Sequence, residues 1–190
     1  REDEAAIAEH AFGEDYVRIA TPTRNGRRVA VIGAGPAGLA AAHDLNLMGY
    51  EVTVLEARED AGGLLRYGIP NFKLNKVVID RRMRVLRAEG ITFSFGQHID
   101  LGALPAGYDA YVVATGTPQA RDLNIPGREL RGVYFALDML SQQNRILAGM
   151  EFKKDQLVSA KGKDVLVIGG GDTGSDCIGT AHRPGCKSVT

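Results

Sequence analysis

A chain of 190 residues has room for one domain and the start of another, with ample length for a buried core. Lysine plus arginine and aspartate plus glutamate number 23 each, a balance that points to neither nucleic acid nor an anionic membrane surface. No apolar run approaches the ~20 residues of a membrane span, and the 24 glycines, well above the ~7% average, fall in turns next to strands.

Residues 1–25 begin REDEAAIAEH, acidic and without the basic-then-apolar order of a secretory signal. Asp3 to Phe12 is a short acidic helix candidate, followed by a polar connector. A start at Arg1 rather than methionine reads as a piece of a longer chain. Cys177 and Cys186 are too few and too far apart for a zinc site or a CxxC pair; they read as small, mostly buried thiols of a reducing compartment, the cytoplasm fitting best.

Residues 28–56, RVAVIGAGPAGLAAAHDLNLMGYEVTVLE, organise the rest. Val29 to Ile32 are apolar strand formers, the turn Gly33-Ala34-Gly35-Pro36-Ala37-Gly38 follows, and a helix runs to about Met48. Gly49 stops it, Glu51 to Leu55 reads as a second buried strand, and Glu56 ends that strand. This is a parallel strand–helix–strand unit with the dinucleotide fingerprint. Gly33 permits the tight turn, Gly35 leaves the backbone open to a pyrophosphate, and Gly38 lets the helix lie close on the strand. Free N–H groups and the positive dipole end of the helix face the phosphates, and Pro36 gives up an N–H that no intrahelical bond would use. Glu56 lies 23 positions past Gly33, near the ~20 expected of a carboxylate that accepts from a ribose hydroxyl.

AREDAGG at 57–63 is a loop, and LLRYGIPNFKL is irregular, with Gly68 and Pro70 excluding regular structure. Asn75 caps a helix to about Glu89, with Val78, Ile79, Met83 and Leu86 on its core face. Its Lys76, Arg81, Arg82, Arg84 and Arg87 read as a solvated face. Ile91 to Phe95 and Tyr108 to Thr115 read as strands, and Val133 to Ala148 as a brief strand followed by a helix; 149–163 are connective.

The opening pattern then returns in DVLVIGGGDTGSDCIGTAHRPGCKSVT, where Gly169, Gly171, Gly174 and Gly185 repeat Gly33, Gly35, Gly38 and Gly49, and Val165 to Ile168 repeat the first strand. Two such units in one chain imply a cofactor that accepts from another nucleotide. The position matching Glu56, where NAD and NADP are distinguished, falls after Thr190.

VAVIGAGPAGLAAA, VLEAREDAGGLLRYGIPNFKL, VVATGTPQARDLNIPG and VLVIGGGDTGSDCIGT, in that order, resemble the small (β) subunit family of glutamate synthase. They are similar also to the corresponding region of dihydropyrimidine dehydrogenase and, more distantly, to adrenodoxin reductase. The resemblance runs from about 26 to 190, and GGLLRYGIPNFKL is its most specific part. It implies an α/β, Rossmann-like FAD domain interrupted by an NAD(P)H domain, with 1–25 a linker from a preceding region. Residues 26–160 would be the first FAD segment and 161–190 the start of the NAD(P)H domain. FAD would be held through Gly33, Ala34, Gly35, Pro36, Ala37 and Glu56. Gly63, Leu64 and Lys73 would border its nucleotide, Ile99 the adenine, and Thr115 and Gly116 the strand end beneath it. NADPH, with NADH left open, would lie on Gly170, Gly171, Asp172 and Thr173.

The function so implied is electron transfer from NADPH through FAD, and through iron–sulfur centres of the longer protein, to the glutamate synthase large subunit or an equivalent acceptor. The cysteine-rich motifs that precede the first unit in that family are absent from these 190 residues, which alone are expected not to sustain NADPH oxidation. The alternatives are a dihydropyrimidine dehydrogenase-like or ferredoxin-reductase-like enzyme, an NAD-only dehydrogenase with a duplicated domain, and a non-catalytic dinucleotide-binding module. No acid–base pair, nucleophile elbow or P-loop stands out, and His10, His43, His98 and His182 read as surface or packing residues.

Overall fold

The computed structural model describes residues 2–117 and 119–190. Helix α1 (Glu2–Gly13) precedes strand β1 (Arg28–Ile32), helix α2 (Pro36–Leu47) and strand β2 (Glu51–Leu55). The short α3 (Leu64–Tyr67), α4 (Val77–Ala88), β3 (Thr92–Ser94) and β4 (Ala110–Val113) follow, and then α5 (Ala136–Leu147). Strand β5 (Asp164–Val165), α6 (Asp172–His182) and β6 (Ser188–Val189) complete the described elements.

The first four strands form one parallel sheet in the order β3-β2-β1-β4. Parallel strands need long crossovers, which α2 and α4 supply, and the covered strands read as continuous apolar runs. Val31, Val52 and Val54 lie on one face and form a buried cluster with Ala42 of α2 and with Ile79, Met83 and Leu86 of α4. Each fully buried side chain of this kind contributes ~1.5–3 kcal/mol relative to exposure. Val78 departs from the expected core face: it is 40% exposed, and Val85 is buried instead. The N-cap of α4 is Lys76 rather than Asn75, which stands one residue earlier with its Oδ1 accepting from the Val77 N–H at 3.1 Å.

At the amino-terminal end of the sheet a polar cluster fastens the connector. Arg24 donates to Asn46 Oδ1 (2.7 Å), the Tyr50 carbonyl (2.6 Å) and the Glu89 carbonyl (3.3 Å). His43 Nδ1 lies 3.0 Å from Glu89 Oε2. Helix α1 is tied to α4 where Arg81 reaches Glu9 through both oxygens and covers the Phe12 ring.

The second unit has its own two-stranded parallel sheet of β5 and β6. Its first strand covers Asp164–Val165 rather than extending to Ile168, and Leu166 and Ile168 are 70% and 68% exposed. The brief strand expected at Val133 is absent among the described residues. Val133 closes a turn on Leu130, no strand lies beside it, and the helix starts at Ala136 with Asp138 accepting the Phe135 N–H.

Candidate dinucleotide sites

After β3 the chain returns to the far side of β1 to form β4, which places the reversal of strand order between β1 and β4. Ligands of open parallel sheets lie outside the carboxyl ends of the strands at such a reversal. The predicted residues converge there: Gly33 follows β1, Glu56 follows β2, and Thr115 and Gly116 follow β4.

The first turn is shaped by contacts that only glycine permits. Gly33 has φ +107°, and a Cβ there would stand 2.4 Å from the Ala114 carbonyl oxygen. A Cβ on Gly38 would stand 1.9 Å from the Gly33 oxygen. Gly35 differs, with an ordinary extended conformation (φ −71°, ψ 177°) and open space where its Cβ would be. Pro36 opens α2 as expected, and no side chain caps that end. Pro36 and Ala37 are exposed and Ala34 is buried. The open face of Gly35 and the uncapped helix start are a cradle a phosphate would fill.

Glu56 is 9% exposed and anchors this turn. Its Oε2 accepts from the Ala34 N–H at 2.6 Å and its Oε1 from the Arg58 N–H at 2.8 Å. A carboxylate has about four acceptor positions, so each oxygen keeps one for a ribose hydroxyl. The Ala34 carbonyl in turn accepts from Gly62 N, and a Cβ on Gly63 would meet the Gly35 Cα at 2.8 Å. The paired glycines are thereby pressed against the phosphate turn, and Leu64, 56% exposed, begins α3 beside it. The 96–99 loop closes on the end of β2, with Gln97 N donating to the Glu56 carbonyl and Ile99 partly buried.

Segment 64–74 packs firmly. Tyr67 is 3% exposed, with Arg58 4.5 Å and Arg145 5.3 Å from its ring centre. Burial pushes its hydroxyl up to about 12, so it remains protonated. Lys73 is ion-paired with the buried Asp176 of α6, and Arg183 of α6 lies 3.3 Å from the centre of the Phe72 ring. Sequence reasoning missed Asp176, which is 103 positions from Lys73, and read Lys76 as part of a solvated face although it turns inward. A cavity of about 280 Å³ between this segment, α5 and α6 is lined by Phe72, Leu140, Thr180 and Arg183 among others, and by none of the predicted site residues.

The second turn repeats the backbone conformation of the first, although a Cβ on Gly169 would meet nothing within 4 Å. Gly169 has φ +122°, Gly171 caps α6 at φ −80° and ψ −173°, and a Cβ on Gly174 would stand 2.5 Å from the Gly169 oxygen. Lys187 N donates to Lys163 O as Glu51 N does to Arg27 O. Gly170 and Gly171 face open space, and Asp172 and Thr173 open the helix. Cys177 is buried, and burial followed by the charge of Asp176 pushes its thiol up; Cys186 is only partly buried.

Comparison with known proteins agrees with this geometry. A model of the pyridine nucleotide-disulphide oxidoreductase family matches residues 27–190. The chain is 45% identical over 191 residues to the glutamate synthase (NADPH) small chain of Bacillus subtilis, covering 98% of this chain and 39% of that protein. It is 47% identical over 193 residues to the glutamate synthase (NADH) of Schizosaccharomyces pombe, covering 98% of this chain and 9% of that protein. A mutant form of FprA from Mycobacterium tuberculosis is similar in structure, with TM-score 0.65 and 26% identity over 79% of this chain and 35% of that one. The chain therefore spans well under half the length of these relatives. With the family model covering nearly all of the parallel sheet and both glycine turns, the chain belongs to the pyridine nucleotide-disulphide oxidoreductase family.

Proposed function

We propose that this chain supplies the adenine–pyrophosphate foothold for FAD and the first phosphate turn for NADPH in a flavin-dependent oxidoreductase of the glutamate synthase small-chain type. The observation that carries the reading is the duplicated turn: two glycine triplets of the same conformation, each with an uncapped helix start over open space. When bound, a flavin accepts a hydride from a reduced nicotinamide and releases the electrons onward.

The residues of the first unit bind and orient. Gly33 and Gly38 fix the turn, Gly35 admits the pyrophosphate to the backbone, and Glu56 holds both the turn and the ribose diol. Gly63 and Leu64 wall the nucleotide from one side, Ile99 the adenine, and Thr115 with Gly116 the strand end. Lys73, on the same wall, joins it to α6. In the second unit Gly170, Gly171, Asp172 and Thr173 frame the nicotinamide dinucleotide pyrophosphate. The B. subtilis relative is named for NADPH and the S. pombe one for NADH, and we assign NADPH here with NADH as the competing donor. Residues 26–160 serve as the first FAD segment and 161–190 as the start of the nicotinamide domain. A glutamate synthase large chain, or an equivalent acceptor reached through iron–sulfur centres of the longer protein, takes the electrons in the cytoplasm.

The test is the visible absorption spectrum of the purified protein, with FAD added and removed by dialysis. Retained flavin bands that bleach on addition of NADPH in the full-length protein are expected. A protein that binds nicotinamide dinucleotides and never flavin would overturn the reading in favour of an NAD-only or non-catalytic module.

A further inference from the structure

Segment 64–74 runs from Leu64, which the flavin reading sets beside the nucleotide, to Lys73, which that reading also assigns to the nucleotide and which is ion-paired with Asp176. Between them Gly68 and Pro70 prevent a regular helix or strand, so no periodic ladder fixes their spacing. The segment's own backbone bonds are local: Gly68 and Ile69 donate to Leu64 O, and Lys73 and Leu74 donate to Pro70 O. Two adjacent turns are thus each closed internally, with nothing among those bonds tying one turn to the other.

The Lys76 ammonium supplies that tie. Its Nζ lies 2.9 Å from the carbonyl oxygen of Leu65, 2.6 Å from that of Ile69 and 3.0 Å from that of Leu74. An ammonium has three N–H donors and no acceptor, so the three carbonyls match its full capacity. The acceptors are the residue after Leu64, the junction of the two turns, and the residue after Lys73. The Ile69 oxygen also accepts from Asn144 Nδ2 of α5 at 3.0 Å, which uses both of its lone pairs and fastens the junction to the body of the protein. The ionisable groups on the surrounding elements are otherwise engaged. Arg66 of α3 is held by Asp60 and by Asp80 of α4, Tyr67 donates to the Asp60 carbonyl, and Lys73 pairs with Asp176. No carboxylate among these is bonded to Lys76, so its charge is directed to the backbone.

We propose that Lys76 is the positioning residue of the flavin-side wall: by gathering the Leu65, Ile69 and Leu74 carbonyls on one ammonium, it holds the course of the segment from Leu64, beside the first phosphate turn, to Lys73, which pairs with Asp176 of α6. This rests on the flavin reading above and adds to it a residue that does not touch the cofactor. Arginine cannot replace it, because a planar fork spreads its donors apart where these carbonyls converge on a point.

The test compares the wild type with K76M, which keeps the stem and removes every donor, and K76R, which keeps the charge. Two measurements are made on the full-length protein: amide hydrogen exchange without cofactor, and FAD affinity by quenching of flavin fluorescence. In both variants the amides of Gly68, Ile69, Lys73 and Leu74 should exchange at least tenfold faster while those of β1 and β2 are unchanged. FAD should bind at least tenfold more weakly. Exchange within twofold of wild type in either folded variant would overturn the proposal, as would loss of protection throughout β1 and β2 in both, since Lys76 would then serve the whole fold. Wild-type protein that binds no FAD would sink the flavin reading instead, and the exchange measurement would still decide the role of Lys76.

Discussion

Gly35 and Gly38, three residues apart in one turn, should separate folding from binding when each is changed to alanine. At Gly38 the new methyl would stand 1.9 Å from the Gly33 carbonyl oxygen; that oxygen is backbone and the Cβ position is fixed by the backbone, so α2 must retreat from β1 by more than ~1 Å to restore an ordinary contact. Overpacking of this kind costs ~1–3 kcal/mol, at the upper end here because no side chain can rotate away. Alanine's better helix propensity returns ~1 kcal/mol, leaving G38A less stable by ~1–2 kcal/mol. At Gly35 the conformation is open to any residue and the methyl meets nothing within 4 Å, so G35A should be unchanged or more stable by up to ~1 kcal/mol. Its methyl nevertheless fills the space assigned to the pyrophosphate, and FAD affinity should fall at least tenfold, ~1.4 kcal/mol. Urea denaturation of the cofactor-free protein reads the first quantity and flavin fluorescence the second. G35A binding FAD within twofold of wild type would refute the placement of the phosphates, and an undiminished G38A would refute the packing argument.

Glu56→Gln puts an amide group against one of the two N–H donors that the carboxylate now accepts; it should cost ~1–3 kcal/mol of cofactor-free stability and release flavin on dialysis, both measured on one preparation. The Lys73–Asp176 pair should respond asymmetrically. The Lys73 side chain is 40% exposed and that of Asp176 11%, so Lys73→Ala strands a buried charge and should cost ~2–3 kcal/mol, whereas Asp176→Asn lets the lysine rehydrate and should cost under ~1 kcal/mol; equal losses in thermal melts would contradict this. Lys76 adds a pH dependence. Burial, and then the charge of Arg66, lowers its pKa from 10.5 to about 8. Between those values the unfolded chain holds a proton the folded one has lost, so the group's contribution improves as pH rises from 8 to 10.5 and is least favourable below 8. Wild type minus K76M, followed by urea midpoint against pH, should show that slope, and a flat difference would exclude the shift.

The parts legible in the sequence are those in which one short stretch specifies its own geometry. Strands β1 and β2 follow from runs such as Val29 to Ile32, and the glycine turns from spacing alone. Val133 misled because a β-branched residue before an aromatic one has strand propensity, while a strand needs a neighbour to pair with and none lies beside it among the described residues. Val78 misled because it shares its side of α4 with the buried Val85, seven positions on, yet lies in the first turn of the helix, where it stays exposed. The partners of Lys73 and Lys76 were not readable: one is fixed by the docking of α6, and the other consists of backbone carbonyls, which leave no letter in the sequence.

The second turn reaches the first one's conformation beside a ladder only two residues long. Gly174 lies on the Gly169 carbonyl as Gly38 does on that of Gly33, without the four-stranded frame. The conformation of the turn is therefore specified locally, by the glycine spacing and the close approach of helix to strand. A turn specified so locally can be duplicated as one short stretch, leaving the architecture around each copy free to diverge.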